Sequence, residues 1–213
     1  MSMAALTELF VSSLITFFVV IDPPGCAPIY AGLTAGATPA HARAMAIRAV
    51  GVAALILIVF ALFGHDILDA LGISLDSFRI AGGIMLFLIA LEMVFEKRTQ
   101  RREDRAQKII DTPEVEDVSI FPMAMPMIAG PGSIASVMLM MSQGHGLSHT
   151  LVILAALGLI LLLTLAALML AGPLMRILGA KIEAVITRLL GVLLAALAAQ
   201  FVIDGLIASF AAA

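Results

Sequence analysis

Two short stretches of this chain combine residue types that do chemistry with a backbone that exposes its own polar groups. The first is Asp22-Pro23-Pro24-Gly25-Cys26-Ala27-Pro28, inside a run from Leu9 to Thr34 that carries no other charge. Two adjacent prolines remove two backbone donors and clash with the preceding turn, so no continuous helix crosses here. Gly25 gives the chain freedom to turn. An ionisable residue inside an apolar segment marks a functional site by default. Asp22 therefore reads as a proton or cation site. The competing reading is a helix cap that accepts the free N–H groups of a half-helix. The second stretch is Gly130-Pro131-Gly132-Ser133, which closes the proline-rich run begun at Phe121-Pro122 and Met125-Pro126. A half-helix starting near Pro131 would aim its positive end at an anionic group such as a substrate carboxylate. The alternative is a structural kink.

Other chemistry-bearing residues give weaker signals. Arg79 and Arg188 both stand in an Arg-x-x-Gly pattern with Gly82 and Gly191. They are accessory candidates for holding a carboxylate, against the commoner habit of snorkelling to the headgroups. Glu92 and Asp204 have the same interfacial default. His145 and His149 are four apart, but Gly144 and Gly146 suggest a turn and no carboxylate or cysteine lies nearby, so no metal site is expected. Ser133 has no identifiable base, and neither His-Glu-x-x-His nor Gly-x-Ser-x-Gly occurs, so no enzyme is expected. No cofactor is expected either. Absence of an ATP-binding motif argues against a primary pump in this chain alone.

The elements that must position these residues are membrane helices. Of 213 residues, 62% are hydrophobic and 13% charged, against nearly half and a quarter in soluble domains. A spanning helix needs about 20 apolar residues. Such segments run from about Ala4 to Ala37, Met45 to Phe63, Leu75 to Phe95, Leu151 to Leu170 and Ile186 to Ile203, with the proline-rich stretch after Val118 making a sixth. The first is too long for one upright helix, so it reads as two half-helices or a helix plus a re-entrant piece. Gly64, His65, Asp66 and Asp69 mark the far end of the second. Residues 96–117 hold six of the twelve Lys and Arg and read as a central loop with a short surface helix at its basic end. No nucleic-acid partner is indicated. One cysteine, Cys26, excludes an intrachain disulfide. No cleaved signal peptide is expected at the N-terminus.

The two sides of that loop share an order of features. Residues 1–95 and 118–213 each read as an interrupted span, a plain span and an Arg-x-x-Gly span, with Pro24-Gly25 set against Pro131-Gly132. Three spans per half make the second half enter from the opposite side. The expected fold is thus one all-α membrane domain of six spans, built as two inverted three-span repeats with broken first and fourth spans. Arg43, Arg48, the basic loop, Arg176, Lys181 and Arg188 fall on one side and Arg79 on the other. The positive-inside rule makes the first side cytoplasmic and puts both termini outside. Gly191, Ala195 and Ala199 form a small-residue face for close packing in the core, or for a homo-oligomer contact.

At these residues the chain resembles the MarC family of bacterial inner-membrane proteins. The resemblance rests on Ile21–Ile29, on Ala81-Gly82-Gly83 through Glu92-Met93, on Pro122–Gly132 and on Arg188…Gly191…Gln200-Phe201…Asp204-Gly205. It implies six spans and a cytoplasmic (inner) membrane location. Similar proteins of the SnatA type move glycine and alanine, and the repeat plan is similar to that of the lysine-exporter group. The resemblance implies that Asp22, Pro24, Gly25, Cys26, Gly130, Pro131, Gly132 and Ser133 form the substrate region. Cys26 departs from the asparagine usual in the family, exchanging a strong donor and acceptor for a weak one. The function expected is secondary, proton-coupled transport of small neutral amino acids, with the lipid bilayer as the other partner. The alternatives are an exporter or pore for another small solute, or an envelope protein that transports nothing.

Overall fold

The computed structural model describes residues 2–95, 97–110, 117–144 and 146–211; of these, the side chains at 98, 99, 102, 105, 108–110 and 174–183 are left aside. Nearly all described residues are helical, and no strand occurs among them. In chain order the helices are α1 (Met3–Ile21), α2 (Pro23–Leu33), α3 (Pro39–Ala70), α4 (Leu75–Val94) and α5 (Lys97–Ile110), then α6 (Pro131–Met141), α7 (Leu147–Met169) and α8 (Ala171–Ala211). Between α5 and α6 lies a wide, irregular helical stretch, Ser119–Ile128, in which Phe121 and Met125 are extended. Each precedes a proline, whose ring disfavours the helical region for its neighbour.

Among the described residues, five segments are long and apolar enough to cross a membrane: Met3–Leu33, Pro39–Ala70, Leu75–Val94, Leu147–Met169 and Ala184–Ala211. A sixth arises if Ser119–Ile128 and α6, bent by 50° at Ala129-Gly130, count as one span. The outside is as apolar as the inside, as lipid solvent demands. Leu55, Leu62, Phe63, Leu162, Leu189, Leu193 and Phe210 are all exposed, whereas Ala46, Ala49, Ala53, Ala90, Ala156 and Ala198 are fully buried. Small residues inside let helices approach where water supplies no driving force between them.

The α4–α8 pair shows this most directly, and it is the most extensive contact between helices. A Cβ on Gly83 would stand 2.9 Å from the Ala198 carbonyl oxygen, and one on Gly191 would stand 3.1 Å from that of Ala90. Gly205 lies against the Asp76 carbonyl and Arg79. Contacts that climb one helix as they descend the other make the pair antiparallel. Gly191 is thus buried against α4, whereas Ala195 is half-buried and Ala199 is exposed.

Several helices extend beyond their apolar runs. α3 begins at Pro39, capped by Thr38, whose hydroxyl accepts from the His41 N–H at 3.3 Å. It continues through Gly64, His65, Asp66 and Asp69, so the helix runs on past the end of the apolar run that these residues mark. The basic stretch forms α5, which packs against α2, α4 and the Ser119–Ile128 stretch. An ion pair of Arg48 with Asp117 ties α3 to the start of the second half. Asp117 also accepts the Ser119 N–H at 2.9 Å.

Candidate functional site

The first chain break is built around Asp22. Its φ of 60° is left-handed, a region that aspartate tolerates better than most residues. That single residue ends α1 and starts α2. Its N–H donates to the Phe18 carbonyl at 3.0 Å, its carbonyl accepts from the Cys26 N–H at 3.1 Å, and its carboxylate accepts from the Gly25 N–H at 3.1 Å. Pro23 and Pro24 have no N–H to satisfy. The start of α2 is thereby closed by the chain itself. Gly25 is required by space rather than by a turn: a Cβ there would lie 2.2 Å from a carboxylate oxygen of Asp22. Asp22 is 1% exposed, and Cys26 is fully buried with its thiol directed to the Ile21 carbonyl at 3.5 Å. Both halves of this break remain within one 31-residue apolar segment.

The second break differs in the one respect that matters for binding. Gly130 occupies the cap position of α6 and carries no side chain to accept from the helix. Pro131 lacks an N–H, and the Gly132 and Ser133 amides sit in the first turn, where no intrahelical acceptor exists. The Ile134 N–H is taken by the Gly130 carbonyl at 3.0 Å. A Cβ on Gly130 would stand 2.3 Å from the Pro126 carbonyl oxygen, so the bend admits no larger residue. In both breaks a proline follows the cap directly, Pro23 after Asp22 and Pro131 after Gly130.

Gly130, Pro131, Gly132 and Ser133 line a cavity of about 760 Å³, within the roughly 300–1,000 Å³ usual for small-molecule sites. Its wall is largely apolar, formed by Val20, Met85, Ile89 and Met127 with parts of the Ser119–Ile128 stretch. Leu88, Ile120, Phe121 and Met125 also line it and are exposed. Two charged residues complete it. Glu92 from the last turn of α4 and Arg101 from α5 form an ion pair at 2.8 Å. Their types gave only an interfacial and a solvated reading in the sequence, because nothing local to 92 or 101 reveals that α5 folds back over α4.

The remaining candidates fall elsewhere. Asp22, Pro24, Gly25 and Cys26 do not line this cavity, although Val20 near the end of α1 does. A Cβ on Gly132 would approach Val20 Cγ1 to 3.4 Å, so the two breaks are neighbours without sharing a surface. Arg79 donates to the Ser142 carbonyl at 3.1 Å, at the end of α6 remote from Gly130, and lies 3.6 Å from Asp76. Arg188 is exposed on α8. Neither arginine lines the cavity. His149 is buried beside Gly144, while His145 lies outside the described residues. No cluster able to hold a metal occurs among the described residues.

Comparison with known proteins places this geometry in a lineage. The family model described as MarC family integral membrane protein matches residues 7–210. A membrane protein of Archaeoglobus fulgidus is 33% identical over 97% of this chain and 96% of its own length. The Escherichia coli membrane protein YhcE is 33% identical over 90% of this chain and 89% of its own. The E. coli inner membrane protein YhgN is 32% identical over 92% and 95%. No solved structure matches.

Proposed function

This chain belongs to the MarC family of integral membrane proteins, and on that footing we propose that it is a secondary transporter of small neutral amino acids in the cytoplasmic membrane. The observation that carries the reading is the uncapped start of α6 opening on the 760 Å³ cavity. A substrate carboxylate there would accept from the Gly132 and Ser133 amides, taking the place that Asp22 takes at α2. The helix dipole favours negative charge at that end. The apolar wall suits an uncharged side chain. Binding and release of such a zwitterion needs no covalent step, so no enzymatic role is assigned.

The packing supports an inverted repeat. α7 packs against α1 and α2, while α3 packs against Ser119–Ile128 and α6; α8 packs on α2 while α4 packs on α6; α3 meets α7 and α4 meets α8. Exchanging the two halves reproduces these contacts, which is the pattern of a pseudo-two-fold axis in the membrane plane. In this reading the breaks at Asp22 and Gly130 interrupt equivalent spans near the midplane. The α5 side, with Arg43 and Arg48, is cytoplasmic, and both termini face outward. The α4–α8 contact buries Gly191 and leaves Ala199 exposed, so a homo-oligomer contact at this face would use only its exposed edge.

Asp22, the carboxylate buried to 1% among the described residues, is the candidate for proton coupling as well as the cap of α2. The test is uptake of radiolabelled glycine and alanine into proteoliposomes, with and without an imposed pH gradient. Saturable, gradient-stimulated uptake that Asp22→Asn uncouples supports the carrier, since asparagine still caps a helix. Absence of uptake in either direction by folded protein overturns the amino-acid reading. Unsaturable conductance assigns a pore instead.

A further inference from the structure

Glu92 stands in the last turn of an apolar helix, the end at which the helix dipole disfavours a carboxylate. Nothing in the fold of α4 needs an acid there. Its carboxylate is three-quarters buried and lines the same cavity as Gly130–Ser133. The partner that neutralises it, Arg101, is 57% exposed and belongs to a different element. That element, α5, is a short polar helix whose described side chains place only Ala106 in the core. A helix whose described side chains are nearly all exposed opens locally at lower cost than a packed span. The cavity thus has a fixed anion on a packed helix and a removable cation on a surface helix.

We propose that Glu92 is the ammonium subsite of this cavity and that Arg101 is the latch that occupies it when no substrate is present. The inference rests on the amino-acid reading above and adds a second anchor and a gate to it. The substrate enters with its carboxylate toward the start of α6 and its ammonium toward Glu92. The ammonium replaces the guanidinium, so the Glu92 carboxylate is never left bare. α5 is released from α4 as the exchange occurs. A primary or secondary ammonium is required of the ligand; a carboxylic acid without one cannot open the latch.

The two halves of this ion pair then have opposite effects, which a purely structural pair would not show. Glu92→Gln should weaken binding of alanine by at least ~10-fold, the loss of one hydrogen bond to a charged group. Arg101→Gln removes a competitor worth about as much as an exposed ion pair, so alanine should bind up to ~5-fold more tightly. Both follow from scintillation-proximity binding of labelled alanine to protein in nanodiscs, with propionate as the competitor lacking an ammonium. A second readout is independent of binding: nitroxides on Glu103→Cys in α5 and Gly36→Cys, with Cys26 replaced by serine, report the distance of α5 by pulsed electron resonance. Arg101→Gln should shift that distance without ligand, and alanine should shift the wild type in the same direction while propionate does not. Equal weakening of alanine by both substitutions, or unchanged affinity in Glu92→Gln, overturns the proposal while the transport reading stands. Movement of α5 in Arg101→Gln with no alanine bound by any form upholds the latch and overturns the amino-acid reading. No movement of α5 in Arg101→Gln overturns the latch.

Discussion

Replacing Gly25 by alanine is a small change with an outsized expected consequence. In an ordinary helix the substitution stabilises by about 1 kcal/mol, because alanine loses less backbone entropy. Here the new Cβ would lie 2.2 Å from an Asp22 carboxylate oxygen and 2.8 Å from its Cγ. Contacts under 3.0 Å are not sustained, so the carboxylate must leave the cap. Losing the cap costs about 1 kcal/mol, and a carboxylate displaced within a buried pocket adds about 1–3 kcal/mol of unmet desolvation. The net effect of Gly25→Ala is a loss of roughly 1–3 kcal/mol. In an Asp22→Gly background the obstacle is gone, and glycine accepts the φ of 60° readily. The same alanine should then stabilise by about 1 kcal/mol. The coupling across the cycle is about 2–4 kcal/mol, far above the additivity error of distant sites. Unfolding of the four proteins in bicelles, followed by circular dichroism across a denaturant series, measures it. A coupling energy under about 0.5 kcal/mol would refute the claim that Gly25 exists to make room for Asp22.

Other expectations rest on separate parts of the molecule. Gly132→Trp places a large ring where a Cβ already approaches Ile89 Cδ1 to 2.5 Å; alanine binding should be abolished in protein that still elutes as a single species, and retained affinity would remove the cavity from the mechanism. Gly191→Leu and Gly83→Leu meet backbone carbonyls that cannot yield, so each should destabilise by more than about 3 kcal/mol, seen as loss of folded yield. Gly191→Ser should be milder, which a thermal-stability ranking of the three checks. Since Cys26 is buried, a membrane-impermeant maleimide reads topology: Ser2→Cys should react from outside the cell and Gly36→Cys only after permeabilisation, and the reverse pattern would invert the assigned orientation.

The course of the chain through the membrane was legible because apolar runs leave little choice of structure in lipid. Its ends were not. α3 starts six residues before Met45, since helices continue into water once Thr38 and Pro39 have started them. Polarity at His65 and Asp66 says where lipid ends, not where hydrogen bonding does. Asp22 was legible as unusual, and one of the two readings offered for it, the helix cap, is what the structure shows at the Gly25 N–H. The sequence did not disclose that a left-handed φ at Asp22 itself makes the break and brings its carboxylate to 3.1 Å from that amide. Gly130–Ser133 was found from its prolines and glycines alone. Glu92 and Arg101 were passed over because their meeting depends on the path of α5, and tertiary proximity across a turn has no period to detect.

The outer wall of the cavity carries a practical warning for the biochemist. Leu88, Ile120, Phe121 and Met125 are exposed and also line the cavity, so whatever solvates the protein there also touches the cavity. In a native membrane that solvent is an acyl chain held at its own depth by its headgroup. In a micelle it is a detergent tail free to slide inward. On the proposed function a long-chain detergent should compete with substrate, and apparent affinity should fall as free detergent rises. Lipid composition belongs among the assay variables from the first experiment.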